Sequence, residues 1–214
     1  MAKKKYKSCG SILNHPAATV ASYFVFQGMR YMTIGERSFK LALTLVFSLP
    51  FIAFGCDLLV SMLIAHGLNF LINGQIPVLM RYVVSDVGLT RRKVESALQK
   101  ISSTARYWGV KDVLVFGSFS RFQMKSSSDL DLRMYHRPDP LSSVLAYCYA
   151  VYLRIWANWN FVPIDLYCFT DPVFLDRMRK DEAPALLLDS EEMQQKYPST
   201  LSPEEMLKRN SNLK

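Results

Sequence analysis

Three carboxylates and one glycine–serine turn are the residues of this chain whose types and spacing could do chemistry together. The run VLVFGSFSRFQMKSSSDLDLR occupies positions 113–133. A hydrophobic stretch ends at Gly117-Ser118, and Asp129 and Asp131 follow, separated by Leu130. A third acid, Asp165, lies in a second apolar run, FVPIDLYCF, at positions 161–169. Residues two apart on a strand share a face. On that reading Asp129 and Asp131 project together, about 6–7 Å apart, while Leu130 and Leu132 turn to the core. If the strand of Asp165 lies beside them, the three acids converge on a site suited to a hard divalent ion. Mg²⁺ prefers a few carboxylates together with substrate phosphates and waters. Gly117 would let backbone approach a polyphosphate closely. A short helix expected over 118–125 would direct free N–H groups at an anion. The Ser118 hydroxyl would add a hydrogen bond to phosphate, Arg121 would reach phosphate or hold an acid, and Lys125 is a weaker candidate of the same kind.

The elements that must position these residues follow from periodicity. Positions Val94, Ala97, Leu98, Ile101 and Ala105 within 89–109 have helical spacing and end at Gly109. Residues 111–118 read as a buried strand and 128–136 as an alternating one; 141–159 reads as a long helix with an apolar face, and 161–169 as a third strand. Beyond Asp171 the tail reads as short helices, with Ser202 as an N-cap before Pro203. His66 and His136 read as structural, and the aromatic stripe of 147–159 as core. The expected fold class is α/β (α+β), a small mixed-sheet palm with flanking helices.

The run GSFSRFQMKSSSDLDL resembles the signature of the polymerase β-like nucleotidyltransferase superfamily, in particular its minimal members. Gly117, Ser118, Arg121, Ser128, Asp129, Asp131 and Leu132 match that signature. Ser120 stands where Ala is frequent, and Phe122 where Gly is frequent. The resemblance covers about residues 90–170. It implies a palm holding two Mg²⁺ ions on the acids matching Asp129 and Asp131, with Asp165 joining one ion and helping to activate an acceptor hydroxyl. It also implies an NTP donor, with ATP as the default, and leaves the acceptor open. A catalytically inactive nucleotide-binding or partner-binding module stands as the alternative.

The N-terminal part lies outside that resemblance. Residues 1–40 carry seven Lys/Arg and one acid, whereas residues 41–80 carry only Asp57. Residues 81–214 carry nineteen Lys/Arg and sixteen acids, so the catalytic part is only mildly basic and extended nucleic-acid binding is not expected. Residues 1–38 read as a basic, mobile start followed by a short apolar helix over 16–34. Residues 39–80 hold two apolar runs divided by Gly55-Cys56-Asp57. They could form one tilted membrane span, a hairpin of two short helices, or a buried helical pair in a soluble protein. Positive charge on both flanks favours the hairpin, a membrane anchor with both ends and the catalytic domain on the cytoplasmic side. The remaining divisions are a nucleotidyltransferase core at 86–170 and a helical tail at 171–214. Cys9, Cys56, Cys148 and Cys168 show no metal-ligand spacing and read as free thiols.

Overall fold

The computed structural model describes residues 16–29, 32–84, 86–171, 184–188, 191–197 and 201–213. The basic start at 1–14 with Cys9, the basic residue Arg30, and parts of the tail (172–183, 189–190, 198–200) lie outside the described residues.

The centre is a four-stranded mixed sheet in the order β3-β2-β1-β4, formed by β1 (Val110–Phe116), β2 (Leu130–His136), β3 (Ile164–Phe169) and β4 (Ala185–Leu188). β1 pairs antiparallel with β2 and with β4, and β2 pairs parallel with β3. The parallel pair is joined by a helical crossover, as parallel neighbours require. That crossover is α6 (Pro140–Trp159), capped by Asp139, whose carboxylate accepts from Ser142 N–H. One sheet face packs Val113, Val115, Leu132, Met134 and Leu166 against α6 and against α5 (Arg91–Thr104). The five apolar positions expected on α5 and its extension, Val94, Ala97, Leu98, Ile101 and Ala105, are all buried, and Gly109 ends the segment at φ 72°. The other face carries Leu114, Phe116, Tyr135, Tyr167 and Phe169, covered by Met32 and Met193.

Two expectations fail locally. Residues 185–188 form β4 rather than helix, and residues 117–122 form turns rather than the short helix expected over 118–125. The tail does form short helices elsewhere, α7 (Glu191–Lys196) and α8 (Pro203–Arg209). Ser202 caps α8 in a reciprocal arrangement with Glu205.

Ahead of the sheet unit, α1 (Pro16–Phe26) packs Phe24 against His66 and Phe70 of α3 (Leu58–Asn73). α2 (Ile34–Ala53) and α3 form a helical hairpin turning at 54–57, and α4 (Ile76–Met80) leads from it to the sheet unit. Among the described residues no helix is long and apolar enough to cross a membrane, so the expected transmembrane character is not supported. The reason is visible in α2. Glu36, Arg37 and Lys40 occupy its first turns, and the uncharged remainder, Leu41 to Ala53, rises about 20 Å against a hydrocarbon core of about 30 Å.

The hairpin is tied to the sheet by buried polar contacts. Among the described residues β3 is an edge strand, and side chains satisfy its outer backbone groups at Leu166 and Cys168. Glu36 Oε2 accepts from Cys168 N–H at 3.1 Å, while Arg154 Nη2 and Gln75 Nε2 donate to Leu166 O at 2.7 and 3.0 Å. Arg154 also donates to Glu36 Oε1 at 2.5 Å and to Asn73 Oδ1 at 2.8 Å, with both charged groups fully buried.

Candidate nucleotide and metal site

β1, β2 and β3 bring the sequence-marked residues to one end of the sheet. Asp131 stands opposite Phe116 on β1 and in register with Asp165 on β3. These two acids are therefore neighbours across a parallel ladder. Their side chains lie on the face away from α6, because Leu132 and Leu166 fill the other face. Asp129 lies just before β2 begins and forms an ion pair with Arg81, which follows α4. Asp165 is half closed over by Arg133, whose Nη2 lies 3.9 Å from Asp165 Oδ2 and whose guanidinium stacks over Tyr167 at 4.9 Å.

Gly117 has two reasons to be glycine. Its φ is +71°, and a Cβ there would overlap the carboxylate of Asp131. The backbone is thus closed directly onto an acid of the site. The turn that follows ends as a helix end does. Gln123 N–H donates to Ser118 O at 2.9 Å and Phe122 N–H to Phe119 O at 3.2 Å, with Phe122 in the left-handed region at φ 56°. This bonding pattern usually places glycine at the left-handed position. The chain uses Phe122 there instead, packed on the core and under the guanidinium of Arg209 at 5.5 Å. Ser120, the other departure from the resemblance, is buried and donates its hydroxyl to Gly117 O at 3.1 Å. Arg121 lies on the same turn, partly buried, with its N–H directed to Gly117 O. Lys125 begins the next turn, where its N–H bonds Ser128 Oγ.

Two buried polar atoms at this end of the sheet have no hydrogen-bond partner: Ser118 Oγ and Asp165 Oδ1. Leaving such groups unpaired costs free energy. Burial pushes the Asp165 carboxyl up and the nearby Asp129 charge adds to this, while Arg133 opposes it. Among the described residues no group of three or more His, Cys, Asp or Glu stands close enough together to hold a metal ion. Asp131 and Asp165 are in register across the parallel ladder, and Asp129, near Asp165, is ion-paired to Arg81. The donor chemistry nonetheless fits a hard cation, being carboxylate oxygens with one orphaned atom on Asp165.

Sequence reasoning missed four contributors. Arg133 was findable, since it follows Asp131 by two on one strand. Arg81 and Glu36 gave no local signal. Asn210, at the end of α8, clamps the turn from far along the chain: its Nδ2 donates to Phe119 O and its Oδ1 accepts from Met124 N–H, at 3.0 and 3.1 Å.

No protein-family model matches this chain, and no curated protein matches it.

Proposed function

We propose that the chain is a membrane-associated nucleotidyltransferase. It transfers a nucleoside monophosphate from an NTP, ATP by default, to a hydroxyl acceptor with release of pyrophosphate, and Asp129, Asp131 and Asp165 are the residues that would hold two Mg²⁺ ions. The observation that carries the reading is the pairing of Asp131 with Asp165 beside a glycine that admits no side chain, with Ser118 Oγ and Asp165 Oδ1 unpartnered at the same sheet end. When bound, such ions stabilise the charge of phosphoryl transfer on the attacking and leaving sides. The chain's own residues do the rest. The turn from Gly117 brings backbone and the Ser118 hydroxyl to the phosphates. Arg121 supplies positive charge there. Arg133 holds the Asp165 carboxylate in place, and Arg81 neutralises Asp129. Asp165 stands where it could accept the acceptor's proton. The exposed apolar surface of α2 and α3 and the basic first forty residues support action at the cytoplasmic face of a membrane.

The test is incubation of purified, membrane-reconstituted protein with each α-labelled NTP, Mg²⁺ and cell extract, followed by fractionation of the labelled product. Wild type transfers label; Asp129→Ala and Asp131→Ala each lose about 10³-fold, corresponding to several kcal/mol of transition-state stabilisation. Transfer that survives both substitutions sinks the proposal. A second reading is favoured by the Arg81–Asp129 ion pair, which already neutralises one of the acids. In it the chain binds nucleotide without turnover, and wild type then binds NTP but transfers no label.

A further inference from the structure

The two hairpin helices are built inside out relative to the palm. The buried residues of α2 are Glu36, Lys40 and Ser48, and those of α3 are Ser61, Ala65, Asn69 and Asn73. None is a large apolar residue. The seam is hydrogen-bonded across: Asn69 Nδ2 donates to Lys40 O and to Thr44 Oγ1, both at 2.8 Å, and Lys40 Nζ donates to Asn73 O at 3.0 Å. The large apolar side chains point away from the seam. Leu45, Leu49, Leu58, Leu59 and Leu63 are 55–67% exposed, and Phe54 at the turn is 88% exposed.

A helix pair made for water buries its apolar stripe and exposes polar residues. In lipid the hydrophobic drive between helices disappears, and small residues and interhelical hydrogen bonds form the seam. The hairpin follows the second pattern. Its apolar exposure covers about half the circumference of each helix, at 3.6 residues per turn, and continues around the turn, where residues 54–60 are all exposed. A protein partner covering one face would leave much of this wet, whereas acyl chains would cover all of it. Charge agrees. Among the described residues Arg37 and Arg81 sit at the base, where anionic headgroups would be, and Asp57 is the one ionised residue at the turn.

We infer that the α2–α3 hairpin inserts into one leaflet of an anionic bilayer and turns back without crossing. The uncharged part of α2 rises about 20 Å, more than one leaflet's share of a core of about 30 Å and less than the whole. Asp57 is the sole acid of the turn, and its carboxylate accepts from Leu59 and Val60 N–H at 2.8 and 3.3 Å. Upright insertion would carry that charge to the mid-plane, so the hairpin lies obliquely. The inference rests on the membrane half of the proposed function and not on its chemistry.

Cys56, exposed at the turn, is a built-in probe. With Cys9→Ser and Cys148→Ala, and with Cys168 buried, Cys56 carries an environment-sensitive fluorophore on the full chain. The labelled protein is mixed with phosphatidylcholine–phosphatidylglycerol vesicles. The chain should float with the vesicles, and nitroxides on the acyl chains should quench the fluorophore while iodide on either side does not. Leu58→Arg with Leu59→Arg, at exposed positions, should keep the circular-dichroism spectrum and lower flotation at least tenfold. Flotation with quenching by external iodide alone means surface binding, which overturns insertion but spares the membrane reading. Quenching by iodide trapped inside the vesicles means a span and overturns it too. A discrete dimer in vesicle-free buffer, with the turn shielded, assigns the apolar surface to a second copy and sinks the inference. Absence of flotation removes both insertion and the membrane reading, while the label-transfer result stands apart.

Discussion

Leu132 on β2 and Ser61 on α3 are equally inaccessible, each with no exposed surface. Around Leu132 lies an apolar core of strand and helix side chains; around Ser61 lies a seam of hydroxyl, amide and small groups. Outside the sheet core come charges, and outside the hairpin seam come leucines. The same chain thus holds two regions sorted by opposite rules. The difference teaches that burial alone does not define a core: what a helix turns outward identifies the medium it was built for. It also shows where the two regions meet. The contact is a fully buried Glu36–Arg154 pair that completes the edge of β3, the strand that carries Asp165.

That meeting point is where the comparison breaks most severely. Arg154→Met leaves Glu36 buried without its ion-pair partner and takes from Leu166 O one of its two donors, the other being Gln75, and is expected to cost about 3–5 kcal/mol in denaturant unfolding. Adding Glu36→Leu should recover part of that loss; a double variant worse than the single would remove the pair from its joining role. Next in size is the mirror test of the two interiors. Leu132→Ala should cost about 2–5 kcal/mol through a cavity, and Ser61→Leu about 1–3 kcal/mol through overpacking. Leu63→Ala, on the hairpin's outer face, should change unfolding by less than about 0.5 kcal/mol while weakening vesicle flotation. Equal unfolding costs for Leu63→Ala and Leu132→Ala would mean that the hairpin is an ordinary soluble packing unit.

At the sheet end that carries Asp131 and Asp165, Gly117→Ala meets a left-handed backbone and the Asp131 carboxylate together. Strain of about 1–2 kcal/mol is expected in thermal unfolding. Label transfer should fall by more than that strain alone accounts for, since Asp131 must move; unchanged transfer would separate Gly117 from the site. The smallest effect concerns the cap of α6. Ser142 N–H bonding holds the Asp139 carboxyl below its ordinary value. Its contribution is therefore present above the unfolded pKa of about 3.9 and is lost as pH falls through the lower folded value. The melting-temperature difference between wild type and Asp139→Asn should shrink below that pH; a constant difference would show that the cap does not titrate.

Much of the sheet unit was legible before folding. The helix at 91–104, the strands at 110–116, 130–136 and 164–169 and the long helix at 140–159 all fall where spacing indicated. β4 was not legible, because a four-residue apolar run has no period to distinguish strand from helix. The turn at 117–122 was misread as helix because the residue that ends it, Phe122, is not the glycine that would announce a left-handed stop. In the site, Gly117, Ser118, Asp131 and Asp165 were marked by their own neighbours in sequence. Arg81, Glu36 and Asn210 were not, since each acts on a backbone or carboxylate tens of residues away.

What the sequence determined by itself is therefore local: which segments have a helical or alternating period, where charge is missing, and which acids share a strand face. The tertiary structure decided the rest. It put Asp131 in register with Asp165, drew Asp129 to Arg81, and turned the polar stripe of α2 and α3 inward. The physical reason is that an amphipathic period specifies two faces without saying which one is buried. That choice, like strand register, belongs to the partner across the contact and to the solvent beyond it.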